Sequence, residues 1–168
     1  PSRDETAIAF LTIDPPGSMD LDQALHLERD GQGYRVRYAI ADVPAFVRPG
    51  GAIDAETRRR GQTIYAPDRR TPLHPPVLSE GAASLLPDQL RAAVLWTIDL
   101  DADGEPVRVD LRRARVRSRA QLDYPATQAQ ADAGSLPDPL ALLPEIGRLL
   151  QQRAAERGAI ELGTPDQE

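Results

Sequence analysis

Proline divides this chain into short pieces. Sixteen prolines are spread over 168 residues. Each fixes its own φ and removes a backbone donor, so many positions must be turns, strand ends or irregular segments. The breaks are densest at Pro15-Pro16-Gly17, at Pro49-Gly50-Gly51 and from Pro67 to Pro76. Between them the patterning is mostly strand-like. Ala7–Ile13 (AIAFLTI) reads as a buried strand, and Ala24–Glu28 as a second that alternates. Asp30-Gly31-Gln32-Gly33 is a hairpin signal. Tyr34–Val43 alternates and then turns continuously apolar, as a strand entering a core does. Val94–Leu100 and Val107–Val116 form another strand pair across Asp101-Ala102-Asp103-Gly104. Thr63-Ile64-Tyr65 is a short extended piece that runs into a Pro-rich loop.

Two segments have helical character. Ile53–Arg60 carries Asp54 and Glu56 early and three arginines late, the order that suits the helix dipole, and Gly61 is placed to cap it. Residues 140–157 set Leu142, Leu143, Ile146, Leu149 and Leu150 on one side. Residues 126–139, rich in Ala, Gln, Asp and Pro, read as a mobile loop. The expectation is a single α+β domain, a mostly antiparallel sheet with flanking helices.

The chain has no cysteine, which excludes disulfides and Cys-based zinc sites. No apolar run reaches membrane-spanning length, and the first residues lack a signal-peptide pattern. A cytoplasmic protein with no membrane partner is the expectation. The net charge of −6 argues against a protein that coats nucleic acid indiscriminately. All twenty basic residues are arginine, and they cluster at Arg58–Arg60, Arg69-Arg70 and Arg108–Arg119. Genomic composition bias accounts for the missing lysines. The clusters remain suited to phosphate, whose oxygens the guanidinium fork matches.

The segment richest in chemistry is Thr12-Ile13-Asp14-Pro15-Pro16-Gly17-Ser18-Met19-Asp20-Leu21-Asp22-Gln23. Asp20 and Asp22 are two apart, so an extended chain points both to one face. The Pro-Pro-Gly turn can fold Asp14 back towards them. Three hard oxygen donors in one pocket suit Mg²⁺, which keeps waters for a substrate phosphate to displace. Spacing alone leaves open a solvated Asp-rich loop whose side chains cap turns. The offsets do not fit an EF-hand.

The runs TIDPPGSMDLDQALHL, YRVRYAIADV and GGAIDAETRRRGQTIYAPDRRTPLHPPVLSEGAASLLP come in the order and separations of a known family. The chain resembles the RNB catalytic domain of the RNase II/RNase R exoribonucleases, from about Ala7 to about Leu162. That family shows a strand ending in T-I-D, a D-x-D-D cluster, an I-A-D-V strand, a short helix with arginines, a Y-x-P loop and an L-S-x-x-x-x-S-L-x-P segment.

The resemblance makes residues 1–168 the N-terminal part of an RNB domain. It implies metal-dependent, hydrolytic, processive 3′→5′ degradation of single-stranded RNA to nucleoside 5′-monophosphates, with Mg²⁺ or Mn²⁺. Asp14, Asp20 and Asp22 match the family's acidic metal-binding positions, with Asp20 and Asp22 also catalytic. Tyr65 matches the aromatic that stacks on the 3′-terminal nucleotide, the alternative being a ring packed at a loop. Arg69 and Arg91 are further candidates for RNA contact, Arg91 alternatively pairing with Asp88. The rest of the RNB domain and OB-fold RNA-binding domains are expected in a longer chain.

One position departs from the family. Gln23 stands where a fourth carboxylate is usual, offering a carbonyl ligand without charge. That departure keeps a second reading open, a degenerate RNB module that binds RNA or a protein partner without cutting. Asp42 is read as supporting the site or capping a strand end. His26 is read as structural, His74 as too distant in sequence to share a metal with it, and Trp96 as core.

Overall fold

The computed structural model describes residues 3–160. Eight strands and three helices follow one another: β1 (Arg3–Asp4), β2 (Phe10–Asp14), β3 (Gln23–Asp30), β4 (Gly33–Ala41), α1 (Ala52–Arg60), β5 (Ile64–Ala66), β6 (Arg69–Thr71), β7 (Leu90–Leu100), β8 (Pro106–Asp123), α2 (Tyr124–Asp132) and α3 (Leu143–Glu156). The α+β expectation holds, and most strand pairs are antiparallel.

β8 is the strand that organises the sheet. Its first part pairs antiparallel with β7, from Pro106 opposite Leu100 to Arg117 opposite Leu90. Its last part pairs parallel with β2, from Ser118 opposite Phe10 to Asp123 opposite Asp14. The pairings β2-β3-β4-β7-β8-β2 therefore form a closed ring. Closure leaves few backbone edges open to another chain.

Alternation along the strands gives each face its own core. One face gathers Phe10, Ala24, Ala39, Ala93, Leu95, Ala114 and Val116, joined by Leu21 and Leu85 from the connecting loops. The opposite face gathers Leu27, Tyr34 and Leu100 under Ile146 of α3. Tyr34 also donates to Glu145 at 2.7 Å, and Arg29 lies over its ring at 4.5 Å. The leucine side of α3 thus finds its partner as its amphipathic pattern requires.

Four segments differ from the sequence expectation, and β8 also runs on past Val116 to Asp123. The first strand starts at Phe10 rather than Ala7, because Asp4 accepts from the Thr6 backbone and hydroxyl and Ile8 donates to the Glu5 carbonyl, which turns the chain. The expected Pro-rich loop contains a hairpin, with Ile64, Tyr65 and Ala66 opposite Thr71, Arg70 and Arg69. After it comes a single π-helical turn, Leu78–Ala82. The expected loop over 126–139 is instead α2 followed by a 3-10 turn at Asp138–Leu140. Asp123 starts α2 by accepting from the Ala126 N–H at 2.8 Å, and Pro125 sits in the first turn where its missing donor costs nothing. The hairpins at Asp30–Gly33 and Asp101–Gly104, α1 and its Gly61 cap fall where the sequence placed them.

The β3–β4 hairpin depends on a close approach at Gly33. A Cβ there would lie 2.0 Å from the Leu100 carbonyl oxygen. Gly33→Ala is expected to destabilise the fold by roughly 2–4 kcal/mol, because backbone must move to make room. Gly31→Ala, at φ +60 but in open space, is expected to cost only about 1 kcal/mol. Urea unfolding of both variants checks the order, and equal losses would contradict it.

Candidate active site

The acidic loop lies between β2 and β3, and its shape follows from where its one leucine goes. Leu21 is fully buried among Phe10 and Leu85. Its flanking residues, Asp20 and Asp22, are thereby turned away from the core. The loop backbone is tied at almost every step. The Ser84 hydroxyl accepts from the Leu21 N–H at 2.9 Å and donates to the Met19 carbonyl at 2.6 Å. Leu85 N–H donates to Leu21 O, and Ala41 N–H donates to Asp22 O, both at 2.8 Å. Gln121 donates to the Ser18 carbonyl at 2.8 Å. Ser84 itself is fully buried, so these two bonds are satisfied away from water, where leaving either unmade costs most.

Asp14 ends β2, and its charge reaches the other two aspartates. Burial first, then the charges of Asp22 and Asp20, push the Asp14 carboxyl above its ordinary range. Asp22 is raised by burial and then by Asp20, while His74 acts in the opposite direction. Three carboxylates thus crowd one another at the end of the sheet. Among the described residues no three acidic or histidine side chains converge into a ready-made metal shell. The donor set nevertheless fits a hard divalent cation: the groups are carboxylate oxygens, and at Asp14 and Asp22 burial and then neighbouring carboxylates disfavour the charge that such a cation would stabilise. Mg²⁺ commonly takes one or two carboxylates and completes its shell with water and substrate phosphate, so a loose acidic cluster suits it better than a closed cage would.

Asp20 and Asp22 line a cleft of about 140 Å³, together with Thr63, Arg70, His74 and Glu80. Arg70 holds Glu80 on one side, and its Nη1 stands 3.5 Å from Asp20 on the other. Arg70, His74 and Glu80 were not singled out by the sequence. Arg70 looked like one of an arginine pair, Glu80 lies in a turn that no periodicity marks, and His74 was weighed only against His26. Ser84 lay inside a motif without an evident role.

The remaining candidates fall in different places. Tyr65 is 72% exposed on the hairpin, so it is not a ring packed at a loop. It lies directly opposite Arg70. Arg69 is one residue along, on the other face of its strand. Gln23 opens β3, and its side-chain carbonyl accepts from the Tyr38 hydroxyl, so the family's fourth ligand position is engaged by the sheet. Arg91 donates to the Ser84 and Leu90 carbonyls and to Gln89. Among the described residues it makes no ion pair with Asp88, and it braces the segment that carries Ser84.

Asp42 is 2% exposed and meets Arg113 at 3.1 Å. It makes no side-chain cap on the following 3-10 turn. His26 is structural: its ring lies edge-on to Phe10, with Nδ1 3.1 Å from the Ala9 carbonyl. Trp96 is half-buried between Tyr38 and Leu111 on neighbouring strands.

The RNB domain family pattern matches residues 2–168. The chain is 32% identical over 164 residues to the human exosome complex exonuclease RRP44, covering 95% of this chain and 17% of that protein. It is 33% identical over 181 residues to an Arabidopsis thaliana protein named inactive exonuclease DIS3L2, again covering 95% of this chain and 17% of the relative. Its fold superposes on Mycoplasma genitalium RNase R, solved with double-stranded RNA, with a TM-score of 0.93 and 28% identity, over 98% of this chain and 31% of that one. The chain therefore spans a minor part of the proteins it matches.

The crowded aspartates make a stability prediction. A carboxyl whose folded pKa is raised binds more protons folded than unfolded, so it destabilises the fold above that pKa and ceases to do so as pH falls towards the ordinary value. In EDTA at neutral pH, Asp14→Asn and Asp22→Asn are each expected to melt above wild type. The gain should disappear on acidification through the raised pKa towards the usual carboxylate range. Thermal melts across pH check this, and variants that melt below wild type at neutral pH would contradict it.

Proposed function

The chain belongs to the RNB domain family, and from that premise we propose that residues 1–168 form the N-terminal part of the catalytic domain of a cytoplasmic, metal-dependent exoribonuclease. The substrate is single-stranded RNA, degraded hydrolytically from its 3′ end to nucleoside 5′-monophosphates. The rest of the RNB domain and OB-fold RNA-binding domains belong to a longer form. The observation that carries the reading is the pinned acidic loop: Leu21 buried, Ser84 and Ala41 holding the backbone, and Asp14, Asp20 and Asp22 left crowded without an equal countercharge.

In this reading Asp14, Asp20 and Asp22 hold Mg²⁺ or Mn²⁺. When bound, such ions activate a water and stabilise the leaving oxygen of a phosphodiester. The chain's own residues do the rest. The buried backbone bonds to Ser84 fix where Asp20 and Asp22 stand, and preorganisation of this kind spares the reaction a reorganisation cost. The exposed ring of Tyr65 offers a flat surface on which any base can stack, which suits an enzyme indifferent to sequence. His74 sits beside Asp22 and offsets part of its charge.

One observation favours a second reading. Gln23 supplies no charge and is engaged by Tyr38, and one relative bears the name of an inactive exonuclease. A module that binds RNA without cutting it would carry such a site.

Labelled single-stranded RNA separates the two. A longer form containing the whole RNB domain, given Mg²⁺ or Mn²⁺, is expected to release mononucleotides. Asp22→Asn should lower that rate by about 10²–10³ or more, the loss typical when one preorganised charge contact is removed. RNA affinity should be nearly unchanged, since basic and stacking groups supply it. RNA that is bound but never shortened at any metal concentration would favour the second reading.

A further inference from the structure

An acidic cluster cannot draw in a polyanion by itself. Asp14, Asp20, Asp22 and Glu80 stand where an RNA backbone would have to pass, and each repels phosphate. The cleft that Asp20, Asp22 and Glu80 line contains one arginine, Arg70. This side chain is presented by a specific geometry. Tyr65 and Arg70 are direct cross-strand partners in the β5–β6 hairpin, and directly opposite residues project from the same face with their Cβ atoms about 5 Å apart. An aromatic ring and a guanidinium therefore project from the same face of the hairpin, and the guanidinium reaches the acidic loop at Asp20. Glu80, from the π-helical turn, holds one edge of the guanidinium. Its contact with Asp20, at 3.5 Å, lies beyond the usual range of a charge-assisted hydrogen bond and is loose. A guanidinium has five N–H donors in a fixed fork, so two carboxylate contacts leave donors free for another oxyanion.

We propose that Arg70 is a phosphate-contacting residue of this site: held by Glu80, its guanidinium takes the backbone phosphate of the nucleotide whose base lies on the Tyr65 ring. The proposal rests on the reading of the site as RNA-binding and names the residue that makes an acidic cleft acceptable to a polyanion. Arg69, the neighbour in sequence, faces the other way and cannot substitute. The loose contact with Asp20 gives Arg70 a second consequence. Its positive charge beside Asp20 opposes a divalent cation arriving there, so Arg70 should favour RNA and disfavour metal.

Opposite effects on two ligands make the test robust to misfolding. A longer form containing the whole RNB domain is titrated in EDTA against a short 5′-labelled oligoadenylate, by fluorescence anisotropy at several NaCl concentrations. Arg70→Met is expected to bind about tenfold more weakly, the loss typical of one charged hydrogen bond. Its plot of log affinity against log salt should be shallower by about 0.7, the value of one phosphate contact on a single strand. Arg70→Lys should keep the wild-type slope. In a separate titration without RNA, Arg70→Met should bind Mn²⁺ about three- to tenfold more tightly than wild type, since a nearby like charge is gone. Equal RNA affinity and slope in wild type and Arg70→Met would overturn the assignment while leaving the RNA-binding reading intact. Loss of Mn²⁺ binding together with RNA binding would also overturn it, because Arg70 would then be shaping the site. A wild-type longer form that binds no oligoadenylate would overturn both.

Discussion

Burial of Leu21 between two aspartates is the constraint on which the site depends. The chain at residues 20–22 alternates charge, hydrocarbon, charge. Placing Leu21 at the centre of the core with Phe10 and Leu85 leaves Asp20 and Asp22 only the outward side. A fully buried leucine contributes about 1.5–3 kcal/mol, and the bonds from Ser84, Leu85 and Ala41 to this stretch each add about 1 kcal/mol net. Together they offset the cost of holding like charges close. The same contacts explain why the segment from Leu78 to Arg91 is bound up with the site. Ser84 and Leu85 hold the loop, Glu80 holds Arg70, and Arg91 braces the carbonyl of Ser84.

The electrostatics follow from that geometry. Asp14 and Asp22 titrate above their ordinary values because burial and neighbouring carboxylates both disfavour their charge. The fold carries this as a local destabilisation, the pattern expected where function needs charge that stability does not. Among the described residues Arg70 and His74 answer it nearby, one beside Asp20 and one beside Asp22. Elsewhere several carboxylates do meet arginines. Arg35 meets Asp99, Asp30 and Glu28 on one patch of the sheet, and Glu56 is held at about 2 by Arg59 and Arg60.

Much of this was legible in the sequence, and the gaps have physical causes. Alternation and turn residues located β3, β4 and their hairpin, because period-2 patterning and Gly31 report local geometry. The Asp14, Asp20 and Asp22 spacing, read through the family resemblance, located the loop. The extent of β8 was missed because its last third is set by pairing with β2, over a hundred residues away, and not by its own pattern. Helix α2 was missed because Ala, Gln and Asp look disordered until Asp123 caps them. The roles of Arg70, Glu80 and His74 depend on a hairpin and a Pro-rich turn folding over the loop, and no local spacing encodes that. Arg69 and Arg70 are indistinguishable in sequence and separated only by strand parity.

The central claim is that the pinned acidic loop is a divalent-cation centre. Backbone amide spectra of the ¹⁵N-labelled chain during titration with Mn²⁺ test it most directly, because the ion broadens signals only near where it binds. The account predicts that substoichiometric Mn²⁺ broadens the amides around Asp14, Asp20, Asp22 and His74 first, leaves those of α3 sharp, and loses this pattern in the Asp14→Asn, Asp22→Asn double variant. Broadening that spreads evenly over the surface acidic residues, or that persists unchanged in the double variant, would contradict it.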